Sequence, residues 1–336
     1  MQVPIKNAIQ TACFSFAVIT NLTLILLIVT RSPSKLGTYK HLMVFFATVS
    51  TGYSFMEYFM TPLLLSHGDC FQVVTRIQFV KFAQIDQFLL DYGCGFCGII
   101  MSMFVVHFVF RFFALQRRGN LKYFEGWYFF CWLAVPVLIG ILWALAVQGF
   151  LHGDEESSEY MRDILLQNYN LNISDVVYVG VLYHKKTSLG KPILNYTGLQ
   201  GVLILGSIMT VCFIFLVYFG VLTYRRIKHL IMEGRSEYTR KLQRQLYQAL
   251  VIQTIIPVFF MILPLSIYFF SPLFHLGHQI IGDFATWSCA VYPVIDPLPV
   301  MFVIDNYRLA ILEFFGCIKS PREMNVNVTS SSGIDN

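Results

Sequence analysis

Three ionisable residues lie within or at the end of long apolar stretches and are the strongest candidates for function. Glu57 and Asp296 each interrupt an otherwise uncharged stretch, and Arg111 ends a third one in His107-Phe-Val-Phe-Arg111. A carboxylate in a lipid bilayer costs on the order of 2–3 kcal/mol and normally faces a partner. Glu57 is therefore interpreted either as a polar group in a ligand pocket or as a structural carboxyl group that is hydrogen-bonded to a neighbouring helix.

Prolines accompany the second carboxylate. Asp296 is followed directly by Pro297, and Pro257 interrupts the preceding apolar stretch. Proline removes a backbone donor and favours a kink. We therefore predict that Pro257 and Asp296–Pro297 are hinges of a conformational change. Arg111 is interpreted as a snorkelling anchor, as a partner of Asp296, or as a contact for a cytoplasmic partner.

The sequence carries no nucleophile–base set, phosphate loop or metal signature, so neither catalysis nor a cofactor is expected. His275 and His278 form a loop pair three residues apart, which is more often structural than metal-binding. Cys94 and Cys97 are interpreted as small packing residues, since a redox motif needs a water-exposed setting. Cys70 is a candidate for a disulfide with Cys94 in an oxidising compartment.

The elements that position these residues follow from composition. Of the 336 residues, 56% are hydrophobic and 13% are charged, whereas soluble domains carry about 25% charged residues. Seven apolar stretches of 19–27 residues have the length of membrane-spanning helices. The predicted fold is an all-α membrane protein with a seven-transmembrane helix bundle. The predicted spans are residues 8–30, 42–65, 92–110, 127–150, 199–224, 245–271 and 284–304.

The basic residues predict the orientation. Of the 24 Lys and Arg residues, 17 lie in loops on one side or in the C-terminal segment. The positive-inside rule then places the N-terminus outside and the C-terminus inside. The same distribution explains the net charge of +5 without nucleic acid. The seven-transmembrane domain is predicted over residues 1–318, with an outer loop at 151–196 that has room for a short helix or hairpin, and a disordered cytoplasmic tail at 319–336.

Two loops and a set of side chains complete the candidate sites. The inner loop 225–244 carries seven basic residues. Contact with anionic membrane lipid would explain these charges, and a docked protein partner would also bind to them. Asn172 in the outer loop is a candidate glycosylation acceptor. Further candidates to line a small ligand pocket near the outer side, besides Glu57, are Tyr58, Gln87, Tyr92, Tyr268 and Trp287.

Five sequence blocks, in order, resemble nematode seven-helix chemoreceptors of the str class, the group that includes the diacetyl receptor. They cover about residues 8–318, nearly the whole transmembrane part. The blocks are Leu36-Gly-Thr-Tyr-Lys-His-Leu-Met, Tyr53-Ser-Phe-Met-Glu57, His107-Phe-Val-Phe-Arg111-Phe-Phe-Ala, Leu242-Gln-Arg-Gln-Leu-Tyr-Gln-Ala-Leu-Val-Ile-Gln-Thr-Ile-Ile-Pro257 and Tyr292-Pro-Val-Ile-Asp296-Pro297-Leu.

This resemblance implies a G-protein-coupled receptor in the plasma membrane of a chemosensory cilium. The sequence is compatible with a receptor that acts alone and with a dimer. It implies a small volatile or water-soluble ligand and a heterotrimeric G protein α subunit as partners. Arg111 would correspond to the Arg of the Asp-Arg-Tyr element of rhodopsin-like receptors, although the preceding acid is missing here. The residues expected to face the G protein are Arg111, Arg225, Arg226, Arg240, Lys241 and Arg244. The alternative is an odour-gated seven-helix ion channel, which the charge distribution opposes.

Overall fold

The computed structural model describes residues 3–33, 36–78, 83–116, 120–186, 191–232 and 237–317. The helices in this part of the chain are α1 (Val3–Arg31), α2 (Tyr39–Met60), α3 (Ala83–Cys94), α4 (Phe96–Ala114), α5 (Trp127–Phe150), α6 (Glu155–Tyr169), α7 (Tyr196–Met232), α8 (Glu237–Pro257), α9 (Leu263–Phe270), α10 (Gln279–Ile295), α11 (Leu298–Val303) and α12 (Asp305–Phe314). The predicted tail 319–336 and the basic residues Lys35, Arg117, Arg118 and Arg235 lie outside the described residues.

The helices form seven membrane-spanning segments. Helices α3 and α4 make one segment, α8 and α9 another, and α10 and α11 the last. Six segments of the described chain are long and apolar enough to cross a membrane. Helix α2 is not among these six. It carries Lys40, His41 and Glu57 together with several Ser, Thr and Tyr residues, and it packs along α1 as the seventh member of the bundle.

Many large apolar side chains point out of the bundle. Leu22 of α1, Leu138 of α5 and Ile214 of α7 are each more than half exposed. Exposed apolar surface on this scale belongs in lipid rather than in water. The bundle is thus apolar on its outside as well as in its core.

Several helix boundaries differ from the predicted spans. The predicted span 42–65 ends early, because Thr61 adopts a left-handed conformation with φ of 43° and Pro62 cannot continue the helix. The third segment begins at Ala83 rather than at residue 92. Most of the predicted loop 225–244 is helical, since α7 continues to Met232 and α8 begins at Glu237.

A three-stranded sheet that the sequence analysis missed covers one end of the bundle. Its strands are β1 (Leu63–His67), β2 (Cys70–Arg76) and β3 (Val176–Leu182), antiparallel in that order. The valine-rich runs favour strands because β-branched side chains suit a pleated surface. Gly282 of α10 lets the sheet approach, since a Cβ there would lie 2.2 Å from the Leu64 carbonyl oxygen. We call this end of the bundle the sheet end.

The long connection between α5 and α7 contains both a helix and a hairpin, whereas the sequence predicted room for one or the other. Helix α6 begins at a capping box in which Asp154 accepts a hydrogen bond from the Ser157 N–H. The hairpin pairs β4 (His184–Lys186) with β5 (Pro192–Leu194). Burial raises the pKa of Asp154, but hydrogen bonds from Lys185 and Ser157 outweigh it and hold the pKa below its usual value.

Candidate functional site

A cavity lies directly beneath the sheet, within the helix bundle. The volume of this cavity is about 100 Å³. Its floor and walls are mostly apolar, and the sheet forms its roof through Leu64, Phe71, Val73 and Val179. Sites that bind small molecules are typically lined by apolar side chains, with a few polar groups that fix the orientation of the ligand.

Glu57 supplies the single carboxylate among the described residues that line this cavity. The Gln10 Nε2 of α1 donates a hydrogen bond of 3.2 Å to Glu57 Oε1. The Lys6 Nζ donates to the Thr61 carbonyl at 2.7 Å, which ties the end of α2 to α1. Glu57 is therefore bonded to a neighbouring helix and also lines the cavity. Its contact with a ligand stays a prediction.

The opposite end of the bundle, here called the Arg111 end, is closed by a buried guanidinium. Arg111 is 2% exposed. Its Nη2 donates to the Gln243 backbone carbonyl of α8 at 3.4 Å and to the Gln243 side-chain Oε1. Its Cζ also lies 5.0 Å from the centre of the Tyr39 ring. Arg111 thus joins α4 to α8 and neither snorkels to the surface nor forms the pair with Asp296 considered from the sequence.

Both predicted hinge sites coincide with interruptions of a helix. Helix α8 ends at Pro257 and continues as a π-helical turn over Val258–Ile262. Helix α10 ends at Ile295, Asp296 caps it, and α11 begins after Pro297. Such wide turns and proline breaks are frequent at functional positions of helices.

Comparison with known proteins settles the family. A family model for the serpentine type 7TM GPCR chemoreceptor Str matches residues 6–312. The chain belongs to this family. The G-protein coupled receptor str-217 of Caenorhabditis elegans is 32% identical over 317 residues, covering 92% of this chain and 89% of that relative. The serpentine receptor class r-10 of Caenorhabditis briggsae is 29% identical over 320 residues, covering 93% and 90%.

Membership confirms the resemblance found from the sequence blocks. The receptor is a multi-pass membrane protein of a chemoreceptor family, and this family is not one of enzymes. The seven-helix bundle predicted from the apolar stretches is the fold of the family. The cavity and the Arg111 end are therefore two ends of a receptor bundle.

Several residues proposed for ligand contact lie elsewhere in the receptor. Tyr58 is 42% exposed and stacks on Phe14 with ring centres 4.4 Å apart. Trp287 is partly exposed on α10. Tyr268 is fully buried against Phe71, with ring centres 5.3 Å apart. None of the three lines the cavity among the described residues.

The candidates on α3 also turn away from the cavity. The Gln87 Nε2 donates to Asp91 Oδ1 at 2.9 Å, and Tyr92 packs on Phe88 with ring centres 4.2 Å apart. The neighbouring face of this segment lines the cavity instead. Its members are Leu89, Leu90, Gly93, Cys94 and Cys97, two adjacent pairs and a single residue that recur at intervals of about four. Helical spacing in the sequence was a signal that could have identified this face.

The proposed disulfide between Cys70 and Cys94 does not form, and all eight cysteines are free thiols. Cys70 packs on the face of the sheet that is directed away from the cavity, with Leu63 and Val74. Cys94 packs on the cavity side. The alternation of side chains along β2 therefore keeps the two sulfurs on opposite faces of the sheet.

The basic residues near the Arg111 end differ in exposure. Lys241 Nζ lies 2.7 Å from Asp305 Oδ2, which ties α8 to α12. The hydrogen bond from Lys241 holds the pKa of Asp305 below its usual value. Arg226 is half-buried and its Nε donates to the Leu115 carbonyl at 3.2 Å. Arg225 and Arg244 are exposed, and Arg240 is half-buried.

Side chains from other helices satisfy the α10 carbonyls that Pro293 and Pro297 leave without a donor. Pro293 cannot bond to the Cys289 carbonyl one turn earlier, and the Tyr53 hydroxyl donates to it at 3.4 Å. Pro297 likewise cannot bond to the Pro293 carbonyl, and the fully buried Asn21 donates to it at 3.0 Å. The break in the last segment is thereby bonded to α1 and α2.

A further bond joins the two interruptions to each other. The Gln253 Nε2, one turn before Pro257, donates to the Asp296 backbone carbonyl at 2.9 Å. Asp296 is 1% exposed, and its Oδ1 has no hydrogen-bond partner among the described residues. The polar groups at the two breaks therefore belong to one buried contact between α8 and the last segment.

Replacing Asn21 by alanine is expected to lower the melting temperature of the purified receptor by several degrees. The change leaves the Pro293 carbonyl buried without a donor, at a cost of about 1–3 kcal/mol. Thermal unfolding in detergent micelles measures the loss. Ser15→Ala is the matched control, because Ser15 is exposed on the same helix and bonds only the Thr11 carbonyl of its own helix. Equal melting temperatures for the two variants would argue against the bond.

Proposed function

We propose that this receptor binds a small, largely apolar molecule in the cavity beneath the sheet and activates a heterotrimeric G protein at the Arg111 end. The observation that carries the proposal is the apolar cavity with one carboxylate, Glu57, at the opposite end of the bundle from the buried Arg111. A volatile or sparingly soluble molecule would gain mainly from burial of its apolar surface.

The proposed mechanism is a shift between two packings of the bundle. A ligand shifts the equilibrium only by its difference in affinity for the two states. The breaks at Pro257 and at Asp296–Pro297 lie between the cavity and the Arg111 end, and the Gln253 bond joins them. Their rearrangement would move α8 and release Arg111 from Gln243. The residues proposed to meet the Gα subunit are Arg111, Arg225, Arg226, Arg240, Lys241 and Arg244.

The proposed orientation places the sheet end outside the cell. The support is the excess of Lys and Arg in the loops at the Arg111 end. Asn172 is exposed at the start of the turn Ile173–Asp175, so a glycan is sterically acceptable there. Asn195 is less suitable, because its side chain bonds the Gly198 N–H and the Leu182 carbonyl. We propose the plasma membrane, in the cilium of a chemosensory neuron, as the location.

Epitope tags at the two termini test this orientation on intact cells. We expect antibody to reach an N-terminal tag without permeabilisation and to reach a C-terminal tag only after it. Asn172→Gln should abolish a glycosidase-sensitive change in gel mobility, whereas Asn195→Gln should preserve it. A hidden N-terminal tag on receptor that surface biotinylation places at the plasma membrane would overturn the proposal and favour the ion-channel alternative.

A further inference from the structure

Three side chains that are far apart in the sequence meet at the surface of the sheet end. Asp69 lies in the turn between β1 and β2, His184 begins β4, and His275 follows α9. The His275 Nδ1 contacts Asp69 Oδ1, and the His184 Nδ1 lies 3.5 Å from Asp69 Oδ2. The two imidazole rings stack with centres 4.4 Å apart. One nitrogen or oxygen atom from each residue lies within 4.8 Å of the others.

One nitrogen atom of the cluster has no hydrogen-bond partner among the described residues. This atom is the Nδ1 of His184, which is buried from solvent. The side chains of Asp69 and His184 are 23% and 20% exposed, whereas that of His275 is 65% exposed. The cluster is therefore open to solvent on the side of His275.

Backbone hydrogen bonds hold the three donor-bearing segments together. Gly68 and Gly277 exchange two bonds of 2.9 and 3.1 Å, which fixes the turn of Asp69 against the loop of His275. The Tyr183 N–H, directly before His184, donates to the Asp69 carbonyl at 2.9 Å. His275 adopts a left-handed conformation with φ of 62°, which is uncommon for residues other than glycine. The backbone thus holds the three segments that carry the donor atoms next to one another.

We propose that Asp69, His184 and His275 form a binding site for a transition-metal ion of the zinc type. Two imidazoles, one carboxylate and a water are a ligand set that Zn²⁺ commonly adopts with an open position. Ca²⁺ and Mg²⁺ prefer sites built from oxygen atoms, so neither fits two imidazoles. Cu²⁺ would bind the same donors, and with higher affinity under equal conditions.

Metal binding would stabilise the sheet that covers the cavity. The ion would join the β1–β2 turn, the β4 hairpin and the loop after α9, while β1, β2 and β3 cover the cavity. We expect the bound ion to slow exchange of the ligand through this end of the bundle. This consequence rests on the function proposed above, whereas binding of the ion to the cluster does not.

Thermal unfolding of the full-length receptor in detergent micelles tests the site. After treatment with a chelator, Zn²⁺ at about a hundredfold excess over its Kd should raise the melting temperature by about 5 °C or more. X-ray absorption at the zinc edge should show two imidazole nitrogens. His184→Gln and His275→Asn should each raise the Zn²⁺ concentration that is required for this shift at least tenfold. Asparagine suits the left-handed backbone of position 275.

His278→Asn is the matched control. It removes an imidazole three residues from His275 but keeps an acceptor for the Ile280 N–H that His278 caps. This variant should retain the full response to Zn²⁺. The proposal is overturned if Zn²⁺ produces no shift in the unsubstituted receptor, or an equal shift in His275→Asn. Mg²⁺ should produce none, and an equal shift with Mg²⁺ would also overturn it. Because no G protein is present, failure here is separate from failure of the proposed receptor function.

Discussion

Replacing Gln243 by leucine is expected to raise ligand-independent activation of the G protein about tenfold or more. The Arg111 guanidinium donates to the Gln243 side chain in the closed bundle, and hydrogen bonds to charged groups are worth about 1.5–3 kcal/mol. Loss of this bond destabilises only the state in which Arg111 is buried against α8. A change of 1.4 kcal/mol shifts an equilibrium tenfold. GTP exchange on a co-expressed Gα subunit, without added ligand, measures the effect.

Two further variants make this result specific. Gln248→Leu is the matched control, since Gln248 is exposed on the same helix and should leave basal activity unchanged. Arg111→Ala should abolish G-protein activation while the receptor still reaches the cell surface, and it should do so in the Gln243→Leu background as well. Basal activity in Gln243→Leu equal to that of the unsubstituted receptor would show that this bond does not hold the receptor closed.

The sequence predicts what depends on local pattern. The stretch 127–150 matches α5 residue for residue because it is uniformly apolar and is preceded by Gly126. The positions of Pro257 and Pro297 predict the helix breaks, because proline acts on its own backbone. The sequence also identified Glu57, because a carboxylate in an apolar stretch needs a partner or a cavity.

The parts that could not be predicted depend on contacts between distant segments. Leu63–Leu65 is predicted as the end of an apolar span, because a short apolar run is compatible with either a helix or a strand. Only its pairing with β2, and the close approach that Gly282 allows, make it a strand. Gln243 is an ordinary polar residue of a basic helix until α4 brings Arg111 beside it. Asn21 likewise gains its role from the carbonyl freed in α10.

Filling the cavity at Gly93 is expected to raise the half-maximal concentration of an agonist at least tenfold. A Cβ on Gly93 would lie 3.6 Å from the Met56 Cε, an ordinary contact, so alanine should be accommodated. The leucine side chain in Gly93→Leu would extend into the space that a ligand must occupy. Overfilling of packed space costs about 1–3 kcal/mol, and each 1.4 kcal/mol corresponds to about a tenfold loss of affinity. Dose–response curves for an agonist found by screening small odorants measure the shift.

The controls separate a blocked cavity from a damaged receptor. Gly93→Ala should respond almost normally, and Gly149→Leu adds the same side chain at an open position on α5 without effect on the agonist. Combined with Gln243→Leu, Gly93→Leu should leave the raised basal activity intact, because the Arg111 end does not depend on an empty cavity. An unchanged agonist response in Gly93→Leu would place the ligand site outside this cavity. Loss of basal activity in the double variant would instead indicate that leucine at this position disturbs the bundle itself.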